Sequence, residues 1–106
     1  MKDIEEALKI LKNNIVKTFT VDEWAELMGY SSTAYFSRKI RIRYKESPSK
    51  LIQQEKLKLI TSLFQKHPDE IFFFIADEAG FPSYQSLSKF VKRATGKTLT
   101  EFKSEC

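Results

Sequence analysis

Two short segments of the sequence carry side chains whose chemistry suits the recognition of nucleic-acid bases. In each segment these side chains stand at positions i, i+3 and i+4, and a basic residue follows at i+7, so that all four lie on one side of an α-helix. An arginine can donate two hydrogen bonds to O6 and N7 of guanine, and a glutamine can pair in the same way with N6 and N7 of adenine. The predicted base-contacting residues are Ala34, Ser37 and Arg38 in the first segment and Gln85, Ser88 and Lys89 in the second.

A second set of residues is predicted to contact phosphate groups. Phosphate contacts fix the position and orientation of a protein on a duplex, whereas base contacts supply sequence preference. The set consists of hydroxyl residues at predicted helix starts and of basic residues that lie later in the two segments. Its members are Thr20, Ser32, Arg41, Arg43, Ser83, Lys92 and Arg93.

Positive charge is concentrated in the middle of the chain. Between Arg38 and Lys58 there are eight basic and two acidic residues, whereas the rest of the chain has ten basic and twelve acidic residues. Clustered positive charge is typical of a surface that binds a polyanion. A solvated helix face would give the same count, so charge alone does not decide between the two interpretations.

Other function classes lack the residues that they need. The chain has one cysteine, Cys106, and one histidine, His67, which leaves no metal-ligand cluster. It also lacks a plausible nucleophile–base pair and a glycine-rich phosphate loop, so we expect neither an enzyme nor a cofactor. No apolar run approaches the ~20 residues of a membrane span, and no signal-peptide pattern follows Met1, so we expect a cytoplasmic protein without a membrane partner.

An internal repeat indicates how the two segments are positioned. At a constant offset of 51 residues, Ala25 matches Ala76, Gly29 matches Gly80 and Ser32 matches Ser83. The aligned stretch extends over some 30 positions without a gap. Two copies of one supersecondary unit are the simple explanation.

Each copy has the pattern of a helix, a short turn and a second helix. Thr20 with Glu23 three residues later forms a capping-box pattern, and glycine is common just after a helix end. The sequence therefore predicts an all-α fold of about seven helices, with two helix-turn-helix units joined by a long linker helix. The units are expected at 1–47 and 67–106 and the linker at 48–66. The predicted helices are 3–12, 21–28, a helix capped by Ser31 or Ser32 that ends near 44, 49–65, a helix opened by Pro68 and Asp69 and closed by Gly80, 84–95 and 98–104.

These residues resemble the DNA-binding domain of the AraC/XylS family of bacterial transcription regulators. The likeness spans about residues 4–103, and its sharpest parts are AELMGYS at 25–31, YFSR at 35–38, ADEAGF at 76–81 and SKFVK at 88–92. The segment from Lys56 to Phe64 is similar to the linker helix of the family. The resemblance implies two recognition helices that enter successive major-groove segments of double-stranded DNA.

The resemblance also carries expectations about biological context. It implies transcription activation, with RNA polymerase as a partner, and an effector-binding, receiver or membrane-sensor region that this chain does not contain. Some positions depart from the family pattern. Lys45 and Leu99 stand where glycine and proline are expected, Ser86 replaces an aromatic residue, and Lys89 replaces an arginine. Because lysine lacks the planar donor fork, we hypothesise that the second unit reads bases weakly and chiefly anchors phosphates.

Phe73 and Phe74 are out of place in the repeat. They align with Asp22 and Glu23 of the first copy, and the helical wheel places Phe74 opposite the core stripe with Phe73 to its side. One interpretation is burial through a small rotation of the helix or beneath the linker helix. The other is an exposed apolar patch that binds RNA polymerase, a second subunit or a sensor domain.

Two rival functions remain at this point. A helix-turn-helix module that binds protein and no longer reads DNA is the main alternative, although the positive face argues against it. RNA binding is the third interpretation, and it is weaker because the sequence shows no exposed aromatic platform on which bases could stack.

Overall fold

Every regular element of the computed structural model, which describes residues 1–106, is helical. A 3₁₀ turn at Ile4–Glu6 leads into the first of seven α-helices. The predicted all-α, seven-helix fold is therefore confirmed. The helices are α1 (Ala7–Asn13), α2 (Val21–Leu27), α3 (Thr33–Tyr44), α4 (Pro48–Lys66), α5 (Phe72–Glu78), α6 (Tyr84–Thr95) and α7 (Leu99–Ser104).

Local side-chain hydrogen bonds determine where most of these helices begin. At α2 the Glu23 N–H donates to Thr20 Oγ1 over 3.1 Å, and the Thr20 N–H donates to Glu23 Oε1 over 2.9 Å. Thr98 and Glu101 form the same reciprocal pair at α7, at 3.2 and 2.9 Å. The sequence offered Ser31 or Ser32 as the cap of α3, and in the structure Ser32 is the cap. Each such cap satisfies backbone donors that the first helical turn leaves without a partner.

α5 begins later than the sequence pattern predicts. Pro68 and Asp69 were expected to open this helix, but they lie in a turn closed by a 3.2 Å bond from the Glu70 N–H to the His67 carbonyl. Helical bonding starts only where the Phe74 N–H donates to the Ile71 carbonyl over 3.1 Å. Ile71 occupies the N-cap and has no side-chain oxygen to accept a bond. The true start therefore carries no local capping signal.

The chain divides into two compact units, Met1–Glu55 and Lys56–Cys106, each of which includes part of α4. In the first unit, Trp24 and Phe36 are fully buried with their rings edge to face, 5.2 Å between centroids. The Trp24 Nε1–H donates to the Ala7 carbonyl over 3.1 Å, which satisfies the buried indole. In the second unit, the buried core consists of Ile60, Phe64, Ile75, Ala76, Ala79, Phe81, Leu87, Val91 and Leu99.

The internal repeat is visible in the helix boundaries. α5 and α6 begin and end 51 residues after α2 and α3, respectively. The turn is also the same in both copies, because the Tyr30 N–H donates to the Ala25 carbonyl and the Phe81 N–H to the Ala76 carbonyl, each over 2.9 Å. Both units therefore present their second helix on an equivalent local framework.

Candidate nucleic-acid interface

The predicted residues of the first unit lie on one face of α3. Ala34, Arg38 and Arg41 are exposed and Ser37 is half-buried, whereas Phe36 and Ile40 on the other side are fully buried. We call the set Ala34, Ser37, Arg38 and Arg41 the α3 row. The α3 row lines one open depression together with Ile42 and Lys45, which sequence reasoning did not identify as site residues.

The second unit presents an equivalent set on α6. Gln85, Lys89 and Lys92 are exposed and Ser88 is half-buried, while Leu87 and Val91 fill the core. We call the set Gln85, Ser88, Lys89 and Lys92 the α6 row. The Lys92 ammonium donates to the Gly96 carbonyl over 3.0 Å, which places its charge at the C-terminal end of α6. Arg93 is exposed beside the α6 row.

Hydroxyl residues predicted to contact phosphate serve as helix caps. The oxygens of Ser32 and Ser83 accept the backbone N–H groups of Tyr35 and Ser86, each over 3.2 Å. The Ser83 hydroxyl also donates to Ser86 Oγ, and the Thr20 hydroxyl donates to Glu23 Oε1. Of the three, Ser32 alone keeps its hydroxyl hydrogen available for an acceptor such as a phosphate oxygen.

Arg43 is not brought together with the other predicted phosphate contacts. Its Nη2 lies 2.6 Å from Glu5 Oε2, and its Nε–H donates to Glu5 Oε1 over 2.7 Å. At about 100° per residue, a side chain nine positions after Ala34 points to the opposite side of α3. This hydrogen bond also lowers the pKa of the Glu5 carboxyl below its ordinary value. Arg43 therefore joins α3 to the N-terminal 3₁₀ turn instead of extending the α3 row.

Lys56 was counted in the basic stretch, but its side chain is only 1% exposed. Its ammonium lies 5.5 Å from the centre of the Phe81 ring, in the turn of the second unit. The neighbouring Glu55 is also buried. The sequence contains an indication that Lys56 is buried, because it lies in line with the buried Ile52, Ile60 and Phe64 at steps of four residues. The stretch therefore keeps seven of its eight basic side chains outside the interior, and its net charge there is unchanged, because one charge of each sign is buried.

Phe73 and Phe74 have different environments. Phe73 is 67% exposed, as is Ile71 two residues before it. Phe74 packs against the core of the second unit, and its ring meets the His67 ring edge to face at 5.1 Å. Of the two interpretations, burial therefore applies to Phe74, because the turn at residues 67–70 places His67 against its ring. The exposed apolar pair is Ile71 and Phe73.

The structure contains no group of three or more histidine, cysteine, aspartate or glutamate side chains that could hold a metal ion. None of the helices combines the length and the apolar character that a membrane crossing requires. The α3 row and the α6 row each contain cationic and hydroxyl side chains, and the α6 row also has the amide of Gln85. Such groups can donate hydrogen bonds to base edges, and the cations can neutralise phosphates.

Comparison with known proteins establishes the fold. The chain is similar to a solved structure of the C-terminal domain of AraT, a response regulator from Geobacillus stearothermophilus, with a TM-score of 0.80 and 18% sequence identity. The similarity covers 97% of this chain and 84% of that chain. No protein-family model matches the sequence, and no curated protein matches it. Nearly the whole of this chain therefore has a helical fold in common with that domain.

Proposed function

We propose that this chain is a sequence-specific double-stranded DNA-binding domain of a bacterial transcription regulator, of the kind found in the AraC/XylS family. α3 and α6 are its two recognition helices, and they read successive segments of the major groove. Ala34, Ser37 and Arg38 contact bases from α3, and Gln85, Ser88 and Lys89 contact bases from α6. Arg41, Lys92, Arg93 and Ser32 contact phosphates.

One observation carries the proposal. The second helix of each helix-turn-helix unit has the same register, and each exposes polar and basic side chains at equivalent positions. Arg38 corresponds to Lys89, and Arg41 corresponds to Lys92. A single surface helix is usually polar on its outer side, so one such row would be weak support. Two rows on matching frameworks, both in the helix that helix-turn-helix proteins insert into the major groove, favour DNA as the ligand.

The biological setting is part of the proposal. A domain of this type acts in the cytoplasm, where it positions RNA polymerase at a promoter. The similar AraT domain is the C-terminal domain of a response regulator, which supports a role in regulation. Activation, rather than repression, is the expected effect.

The test is fluorescence anisotropy with a random-sequence duplex over a series of salt concentrations. We expect a dissociation constant on the order of 1–100 µM that rises steeply with salt, because cations on the protein displace counterions from phosphates. The Arg38→Ala/Lys89→Ala variant should bind more weakly. Lys9→Ala/Lys66→Ala is the matched control, since it removes two exposed charges outside both rows. Equal weakening in both variants would show that net charge, rather than the rows, drives binding.

A protein-interaction module is the second candidate, and the exposed Ile71 and Phe73 are the observation that favours it. If the wild-type chain fails to bind duplex DNA even at low salt, the DNA-binding proposal is wrong. The apolar pair would then be the first surface to examine for a protein partner.

A further inference from the structure

Ile42 is an exposed isoleucine in the depression that the α3 row lines. Its side chain is 64% exposed, and the same depression contains Arg38, Arg41 and Lys45. At the equivalent position the second unit has Arg93, a cation suited to phosphate. The first unit therefore places an apolar side chain at a position where its own repeat places a charge.

Ile42 forms part of a regular arrangement around Arg38. Ala34 precedes Arg38 by four residues and Ile42 follows it by four, so the three side chains lie about 6 Å apart along one side of α3. Both flanking residues are exposed. Arg38, the proposed guanine contact, thus has a methyl group on one side and a branched alkyl group on the other.

The surrounding charge restricts what this apolar surface can bind. A hydrophobic protein partner would have to desolvate three neighbouring cations, which is costly unless acidic groups pair with them. The major groove of DNA offers both kinds of group at once, because phosphates neutralise cations and the 5-methyl group of thymine accepts apolar contact. An isoleucine among cations is therefore complementary to a thymine-containing groove.

On these grounds we propose that Ile42, together with Ala34, recognises the 5-methyl group of thymines beside the base that Arg38 contacts. The inference rests on the proposed DNA-binding function and assigns one source of its sequence preference. It predicts that the first unit favours thymine within a few base pairs of a guanine, with the thymine that Ile42 contacts on the side towards the C-terminal end of α3.

The experiment begins with selection of a preferred duplex from a random pool by the wild-type chain. Each thymine of the selected half-site is then replaced singly by deoxyuridine, which removes only the methyl group. We expect wild-type affinity to fall roughly three- to fivefold at the thymine that Ile42 contacts, the effect of exposing one methyl group. Ile42→Ser should bind the thymine and deoxyuridine duplexes equally well at that position.

Ile71→Ser is the matched control, since Ile71 is 67% exposed and lies at the N-cap of α5, outside both rows. This variant should retain the wild-type loss on deoxyuridine. The inference would be overturned if the wild-type chain bound every deoxyuridine duplex as tightly as the thymine duplex. It would also be overturned if Ile42→Ser lost as much affinity on deoxyuridine as the wild type does. Both results would leave the DNA-binding proposal intact. If no duplex is selected at all, the proposed function itself fails. Thermal melting of each variant by circular dichroism verifies that it is folded.

Discussion

Lys45 and Gly96 hold the same left-handed backbone conformation, Lys45 at the end of α3 and Gly96 at the end of α6. Their φ angles are 60° and 78°, and each backbone N–H donates to the carbonyl four residues earlier. Glycine adopts this conformation freely, whereas a side chain in it costs about 1–2 kcal/mol. The first unit therefore carries a backbone strain that the second unit avoids.

We expect Lys45→Gly to raise the free energy of unfolding by about 1 kcal/mol and Gly96→Ala to lower it by a similar amount. A Cβ atom added to Gly96 would meet nothing within 4 Å, so the loss there comes from backbone strain alone. Urea denaturation followed by circular dichroism measures both. Lys45→Ala is the control for loss of the lysine side chain. If Lys45→Gly were no more stable than Lys45→Ala, the proposed backbone strain at residue 45 would be wrong.

Phe73 and Phe74 should respond differently to substitution. Phe74→Ser removes a ring that packs on the second core and on His67, and we expect it to cost about 2–3 kcal/mol of unfolding free energy. Phe73→Ser changes an exposed side chain and should stay within about 0.5 kcal/mol of wild type. Equal shifts in the denaturation midpoints of the two variants would contradict the different environments of Phe73 and Phe74.

Phe73, the exposed phenylalanine, is also the residue to substitute in a test of transcription activation. If Ile71 and Phe73 meet RNA polymerase, Phe73→Glu should reduce transcription activation and leave DNA affinity unchanged. A reporter assay and anisotropy on the same variant measure the two effects. Reduced activation in step with reduced DNA affinity would show that this patch has no separate role.

Arg38 and Lys89 should make different contributions to sequence preference. A bidentate arginine contact discriminates between bases by about 1–3 kcal/mol, and a lysine at the same position acts mainly as a point charge. We therefore expect Arg38→Ala to reduce the ratio of affinities for the selected and random duplexes by roughly tenfold. Lys89→Ala should weaken binding to both duplexes alike. The hypothesis fails if Lys89→Ala relaxes the preference as strongly as Arg38→Ala does.

The reciprocal cap at α7 gives stability a defined dependence on pH. The Thr98 N–H donates to Glu101 and lowers the pKa of that carboxyl below its ordinary value of 4.5. The charged carboxylate therefore stabilises the fold above about pH 4.5, and this contribution disappears as the pH falls through the lowered folded-state pKa. Glu101→Gln should narrow the difference in urea midpoint between pH 6 and pH 3. An unchanged difference in the variant would mean that other carboxyls carry the whole effect.

Features that depend on neighbouring residues in the chain could be predicted from the sequence. The pairing of Thr20 with Glu23 is local, as is the chain reversal at Gly29, and both stand where the pattern placed them. The outward side of α3 followed from helical periodicity once Phe36 and Ile40 were assigned to the core. These predictions need only the geometry of a single helix.

Features that depend on tertiary packing could not be read in the same way. Phe74 looked exposed on a helical wheel, but the turn at residues 67–70 brings His67 over its ring. Lys56 is a different case: its four-residue spacing from Ile60 predicted a buried position, but the charge of its side chain led us to count it with the surface. Ile71 gave no signal of a helix start because its side chain cannot cap. In each case, packing outweighed the preference of the residue itself.

α4 is at once the last helix of one unit and the first helix of the next. It begins at Pro48, the counterpart of Leu99 at the start of α7, and further along it the buried Ile60 and Phe64 repeat the spacing of Ala7 and Leu11. α4 is therefore divided between the units, with its residues up to Glu55 in the first unit and those from Lys56 onward in the second. Either unit expressed alone would keep only part of this helix.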